Sequence, residues 1–281
     1  AQLIMVKLWL LNTGFCTANE QTLLQNAPRR RVKAYALAAL LEHPQEGLIL
    51  FDTGYAPRLL EAFKRFPSSI YGYLTPTITR DEWSAVNQIK ALGYTADDIR
   101  TVIISHLHAD HIAGLHDFSH ATFLLSPEAF EVSSSQGFSA LKHGFLPPLF
   151  PPATVQVTDF FHHQALPELG NTHDVFGDGL LRLVQLPGHA KGQVGLFVQT
   201  TCGPALLAAD GCWSTTAYKD NHPPSPLALR LLFHDVPSTL KTLEHLHNFH
   251  KTNPEVLIIP SHCPDISART ELGKPTPLEA I

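Results

Sequence analysis

The sequence predicts an α/β protein folded as a four-layer αββα sandwich, two sheets face to face with helices on both outer surfaces. Three observations carry this expectation. Short apolar, β-branched runs alternate with helical segments, and they do so in a similar order in both halves of the chain. Several chemistry-bearing residues stand just past the ends of predicted strands, where separate strands can deliver side chains to one edge of a sandwich. The 281 residues are 44% hydrophobic and 16% charged, which supplies a substantial core and excludes a disordered chain.

Met5–Leu11, Ala34–Leu41 and Leu48–Phe51 read as strands, the last two joined across Pro44 and Gly47 as a hairpin. Asp52-Thr53-Gly54 closes the third with turn residues. Helices are expected over Arg58–Phe66 behind Pro57 and over Glu82–Leu92 before Gly93, then a turn at Ala96–Ile99 and a β-branched strand, Thr101–Ser105. Farther on come a strand at Ala121–Leu125, a helix at Pro127–Val132, and strands at Leu180–Leu186, Val194–Gln199 and Ala205–Ala209 punctuated by Gly188, Gly192 and Gly203. Leu240, Leu243, Leu246 and Phe249 recur at helical spacing within Pro237–His250, and Val256–Pro260 is a final buried strand. Residues 67–81 and 133–152, rich in aromatics and proline, are expected as long loops in a single domain spanning 1–281.

A formal charge of −5 argues against nucleic-acid binding, since phosphate neutralisation needs clustered Lys and Arg, and Arg29-Arg30-Arg31 is too short a run. No apolar stretch reaches the roughly 18–20 residues that span a bilayer, so no membrane association is expected. Cys16, Cys202, Cys212 and Cys263 form no C-x-x-C pair or disulfide framework, which favours a cytoplasmic location. The unusual number is 17 histidines against 20 Lys and Arg together.

The decisive segment is Ser105-His106-Leu107-His108-Ala109-Asp110-His111. His106 and His108 are two apart at a strand end and point the same way, while Asp110 and His111 follow where the chain turns into a helix expected around Ile112–Leu115. Four donors in six residues overfill one tetrahedral site but suit two adjacent ions, the first pair on one and the second pair on its neighbour. Imidazole and carboxylate favour zinc, with iron, cobalt or manganese as alternatives. His189 in a Gly-marked turn, Asp210 after Ala205–Ala209 and His262 after Val256–Pro260 each stand past a strand end and complete the shells.

On these residues the chain resembles the metallo-β-lactamase superfamily, with H-x-H-x-D-H at 106–111 and the later His189, Asp210 and His262. The resemblance spans nearly the whole chain, and it implies one ion on His106, His108 and His189 and a second on Asp110, His111 and His262, with Asp210 bridging. It also implies that Asp52, in Phe51-Asp52-Thr53-Gly54, orients a ligand rather than binding metal. Two such ions share a water and supply hydroxide near neutral pH, with Asp110 placed to shuttle a proton.

Within the superfamily the pattern is most similar to the N-acyl homoserine lactonase-like group, which implies a small-molecule substrate with an apolar part and a homodimer as one assembly. Residues 67–81 and 133–152 would then form an apolar channel for an acyl chain. Members of that group commonly carry Tyr three residues after the bridging Asp, where this chain has Trp213; Trp213 is read as a pocket wall or an N–H donor, with Tyr218 as a substitute hydroxyl. Phosphodiester hydrolysis, and an iron-dependent redox or binding-only role, stand as alternatives. Cys212 and Cys263 are read as packing residues, His116, His120, His162, His163, His245, His247 and His250 as structural, and His222 as a pocket residue.

Overall fold

The computed structural model describes residues 5–158 and 163–281; the side chains of the His162-His163 pair lie outside that set. The first sheet contains β1 (Lys7–Asn19), β2 (Arg31–His43), β3 (Gly47–Phe51), β4 (Thr77–Ile78), β5 (Ile99–Ile103), β6 (Thr122–Leu125) and β7 (Thr154–Val157). The second contains β8 (His163–Leu166), β9 (Gly170–Asp174), β10 (Leu181–Gln185), β11 (Val194–Thr200), β12 (Gly203–Ala209) and β13 (Leu257–Pro260), and β14 (Pro275–Pro277) returns to the first. The strand orders are β14-β1-β2-β3-β5-β6-β7, with β4 beside β1, and β13-β12-β11-β10-β9-β8.

Alternation along the strands builds the layers. Leu41, Ile49 and Phe51 face the second sheet and meet Leu183, Leu196, Leu207 and Ile259. Their neighbours Leu40 and Leu50 face outward, against Leu59, Ile89, Ile112 and Phe118 of the first helical layer. Leu206 and Ile258 point out of the second sheet onto Leu243, Leu246 and Phe249 of the helix Val236–Thr252. A period of two thus buries both faces of each sheet, which makes four layers. Leu240, expected on the same buried stripe, is 42% exposed.

Several elements differ from the sequence reading. β1 continues past Leu11 to Asn19 through a register shift between Asn12 and Phe15, so its second half pairs with β2 although it lacks an apolar alternation. The expected loops are partly ordered: 67–81 holds the helix Ser68–Leu74 and β4, and 133–152 holds the helix Gly137–Lys142. The helix after Pro57 stops at Ala62, and the motif helix is Ala109–Ile112 rather than Ile112–Leu115. β7, β9 and β14 are short and partly exposed, which leaves no periodic signal in the sequence.

Candidate metal centre

Parallel pairings bring the functional side chains to one edge. β3 and β5 run parallel and end together, so Asp52 and Ser105 face each other. The Ser105 N–H donates to Asp52 Oδ1 at 2.7 Å, its hydroxyl donates to Asp52 Oδ2 at 2.6 Å, and His111 Nδ1 lies 2.7 Å from Asp52 Oδ2. Asp52 itself adopts φ +58°, a left-handed turn that Asp tolerates better than most residues. His108 precedes the helix Ala109–Ile112, whose first turn presents Asp110 and His111.

β12 and β13 are likewise parallel, and their register shifts between Leu207 and Ala209. Ala209 takes φ +46°, and this irregularity turns Asp210 inward. His262 follows β13, held by Nδ1 at 2.5 Å from the Tyr35 carbonyl. His189 leaves β10 through Gly188 (φ +130°), where an added Cβ would lie 2.3 Å from the Thr239 nitrogen.

The seven expected side chains converge. His106, His108 and His189 offer donor atoms within 4.8 Å of one another, as do Asp110, His111 and His262, and also His106, His111 and Asp210. Asp210 lies between the first two groups. Its Oδ2 is 3.1 Å from His189 Nε2 and 3.2 Å from His262 Nε2, and its Oδ1 is 3.3 Å from His111 Nε2. His106 Nε2, His111 Nε2 and Asp210 Oδ1 are buried there without a hydrogen-bond partner. Buried polar atoms are rarely left so, and nitrogen and carboxylate donors at this spacing fit two divalent cations.

The electrostatics divide the centre. Burial, with the charge of its histidine neighbours, pushes His106 well below the ordinary imidazole value and His108 down to about 3. Burial also opposes the charge on His111, yet Asp210, Asp110 and Asp52 outweigh it and raise His111 to about 10. His262 is raised well above its usual value by Asp210 and Asp110 against the same burial. Without metal, His111 therefore holds its proton up to about pH 10, and His262 holds one above the ordinary imidazole range. That contribution to stability is complete below the ordinary histidine pKa and is lost as pH rises through the shifted one. Ligation requires neutral imidazoles, so loading metal at pH 8 is expected to release a proton from each. Titration calorimetry in buffers of differing ionisation enthalpy reads the number, and metal binding without proton release would contradict the assignment.

A cavity of about 510 Å³ opens over Asp110, His108, His189, Asp210 and His262. Residues 67–81 contribute Ile70, Tyr71 and Leu74 to its wall, and residues 133–152 contribute Leu141 through Gly144. Trp213 lines it as well, packs its ring at a tilt against Phe233 with centroids 4.8 Å apart, and donates its Nε1–H to Asp210 Oδ2 at 3.0 Å. Its N–H is therefore spent on the carboxylate. Tyr218 and His222 are not in the wall. Tyr218 sits on the helix Thr215–Asp220, whose buried face turns toward Val236–Thr252; its carbonyl lies 2.9 Å from His247 Nδ1 and its ring meets His250 at 5.2 Å. His222 Nε2 lies 2.7 Å from the Gln25 carbonyl. His116 Nε2 similarly meets the Pro148 carbonyl at 2.9 Å, and Cys212 and Cys263 are buried.

Sequence reasoning passed over Cys16, His143, His234 and the functional placement of Tyr71. Tyr71 stacks on Phe63 at 5.9 Å and lines the cavity, and the Ala109 N–H points at its hydroxyl oxygen. Burial, followed by the charges of Asp110, Cys16 and Asp210, raises its pKa well above the usual phenol value, so it is a neutral donor. Gly144 (φ +64°) carries the wall against His108, where an added Cβ would lie 2.4 Å from Cδ2. Gly144→Ala is expected to displace His108 and weaken metal affinity about 10–100-fold, read by competition with a chromophoric chelator; unchanged affinity would show that the wall gives way instead.

The sequence profile of the metallo-beta-lactamase superfamily matches residues 33–248, and the chain belongs to that superfamily. It is 26% identical over 232 residues to the N-acyl homoserine lactonase AttM of Rhizobium radiobacter, covering 80% of this chain and 81% of that one. It is 24% identical over 223 residues to the N-acyl homoserine lactonase AiiA of Bacillus thuringiensis subsp. kurstaki, covering 77% and 80%. A B. thuringiensis AiiA mutant with N-decanoyl-L-homoserine bound at the active site shares the fold at a TM-score of 0.73 and 20% identity, covering 95% of this chain and 97% of that one. AidC, a dizinc quorum-quenching lactonase, does so at 0.62 and 14%, covering 92% and 88%. No helix among the described residues is long and apolar enough to cross a membrane.

Proposed function

We propose that the chain is a dinuclear-metal hydrolase that opens an ester or lactone, with N-acyl homoserine lactones as the first substrates to try. The observation that carries this reading is the position of the Asp210 carboxylate between two ligand groups at the floor of a largely apolar cavity. His106, His108 and His189 would hold one ion, Asp110, His111 and His262 the other, and Asp210 would bridge. Zinc fits this donor set first, while iron, cobalt and manganese also accept it. Two such ions, when bound, lower the pKa of a shared water toward neutrality and polarise a carbonyl.

The protein's own groups do the rest. His262 Nε2 lies 3.1 Å from Asp110 Oδ2, so Asp110 is fixed in the floor of the cavity where it can pass a proton to the leaving oxygen. Asp52 holds the His111 ring by Nδ1, and the Trp213 N–H steadies Asp210. Tyr71 donates its hydroxyl proton to the carbonyl oxygen as charge gathers there. The acyl part lies along Ile70, Leu74, Leu141 and the segment Leu231–Phe233.

The zinc-loaded protein should turn over N-hexanoyl and N-decanoyl homoserine lactones with kcat/KM on the order of 10⁴ M⁻¹s⁻¹ or more. A chromogenic phosphodiester assayed beside them should be far slower, and the opposite ranking would overturn the reading. Metal analysis after purification without added metal should find two ions per chain. Tyr71→Phe is expected to lower kcat on the order of a hundredfold with metal content unchanged; a wild-type kcat would remove Tyr71 from the chemistry.

A further inference from the structure

One rim of the cavity is basic, and the fold fastens it to the three-histidine group. Gly144 abuts the His108 ring, so Lys142 and His143 sit at the rim directly beside it. On the other side the His234 N–H donates to the His189 carbonyl at 3.0 Å, and the next N–H, of Asp235, donates to the Gly188 carbonyl at 2.9 Å. Lys191 follows His189 by two residues and also lines the cavity. The His143 and His234 rings face each other across the rim with centroids 6.0 Å apart. Four donor-bearing side chains from three separate segments are thus gathered at the rim.

The charges can be counted. Lys191 Nζ lies 2.6 Å from Glu131 Oε2, so that pair is balanced. The Asp235 carboxylate, which accepts from the Ser238 hydroxyl at 2.6 Å, does not line the cavity. Lys142 has no carboxylate partner among the described residues. Each imidazole supplies an N–H whether or not it is protonated. One net ammonium charge with two or three adjacent N–H donors matches a single carboxylate better than a doubly charged phosphate monoester. It has no use for a purely hydrocarbon chain.

We propose that this rim is an anion subsite, and that the enzyme takes an acyl ester or lactone bearing a free carboxylate on the part that lies over the three-histidine group. This rests on the hydrolase reading and narrows its substrate class. The scissile carbonyl and the carboxylate would then be two ends of one molecule, the first over Asp210 and the second at Lys142 beside the His143–His234 pair, with Lys191 adding a neighbouring charge shared with Glu131.

The test compares mono-4-nitrophenyl esters of glutarate, adipate and suberate with the 4-nitrophenyl esters of length-matched monocarboxylic acids, on the zinc-loaded full chain. At one or more lengths the carboxylate ester is expected to lead by about tenfold in kcat/KM. That lead should shrink as sodium chloride is raised, and should fall toward one in the Lys142→Gln, Lys191→Gln double variant. A neutral ester that is faster at every length, or a lead untouched by the double variant, overturns the proposal. Calorimetric binding of adipamate against hexanamide to the same zinc-loaded protein reads the preference without turnover. A protein that hydrolyses none of the esters therefore refutes the hydrolase reading, while tighter adipamate binding that is lost in the double variant still upholds the subsite, and equal binding rejects it.

Discussion

Asp210→Ala should lower kcat/KM on the best lactone by on the order of a thousandfold, and the purified variant should hold fewer than two ions per chain. Both carboxylate oxygens are engaged, one near His111 and the other near His189 and His262, at 3.1–3.3 Å. No neighbouring side chain is placed to replace it: Asp110 is already turned toward His262. The truncation also strips the Trp213 N–H of its acceptor and leaves the raised imidazoles of His111 and His262 facing one carboxylate fewer. Asp210→Asn keeps the shape and removes the charge, so it separates packing from electrostatics. Two ions retained in the Ala variant, with near-normal turnover, would show that Asp210 does not bridge.

Asp52→Ala should be the most destabilising single change at the site, by about 3–5 kcal/mol in the metal-free protein. Asp52 is 1% exposed and accepts from the Ser105 backbone, the Ser105 hydroxyl and His111. Its loss leaves a buried imidazole and a buried N–H unpaired. It also places Ala at φ +58° without the polar side chain that lets Asp tolerate a left-handed backbone. In the folded variant a freely turning His111 should cost a further 10–100-fold in metal affinity. Asp52→Asn keeps the turn and the acceptance from the Ser105 N–H but turns an amide NH2 toward His111 Nδ1, so it should recover part of the stability but not the affinity. Thermal melts with and without zinc read both effects, and an Ala variant as stable as wild type would remove Asp52 from this role.

What could be read beforehand follows from where the information is local. H-x-H-x-D-H after a β-branched strand declares itself within seven residues, and His189, Asp210 and His262 each follow an apolar run that is recognisably a strand. The layered architecture was legible for the same reason, since both faces of the central strands are apolar. Tyr71, His143 and His234 were not, because each reaches the cavity from a segment whose course depends on what it packs against. Tyr71 needs the helix Ser68–Leu74 laid on Phe63, and His234 needs its backbone tied to His189. Tyr218 misled because proximity in sequence to Trp213 says nothing about which face of a short helix is buried. Trp213 lies in the cavity wall, but its N–H goes to the carboxylate beneath it rather than toward a substrate.

The parallel pairs β3–β5 and β12–β13 have a consequence for how such an enzyme can change. They plant Asp52, His106, Asp210 and His262 on the ends of strands whose positions are set by the buried sheets. Cys16–Asn19 of β1 and Ala34 of β2 form one part of the cavity wall, but most of the rest comes from excursions between strands, which no sheet register constrains. Libraries that vary residues 68–70, 72–75, 137–141 and 226–233, with Tyr71 and Gly144 kept, should therefore shift which acyl group is accepted while leaving the hydrolytic floor intact, so new specificities can be selected without rebuilding the reaction.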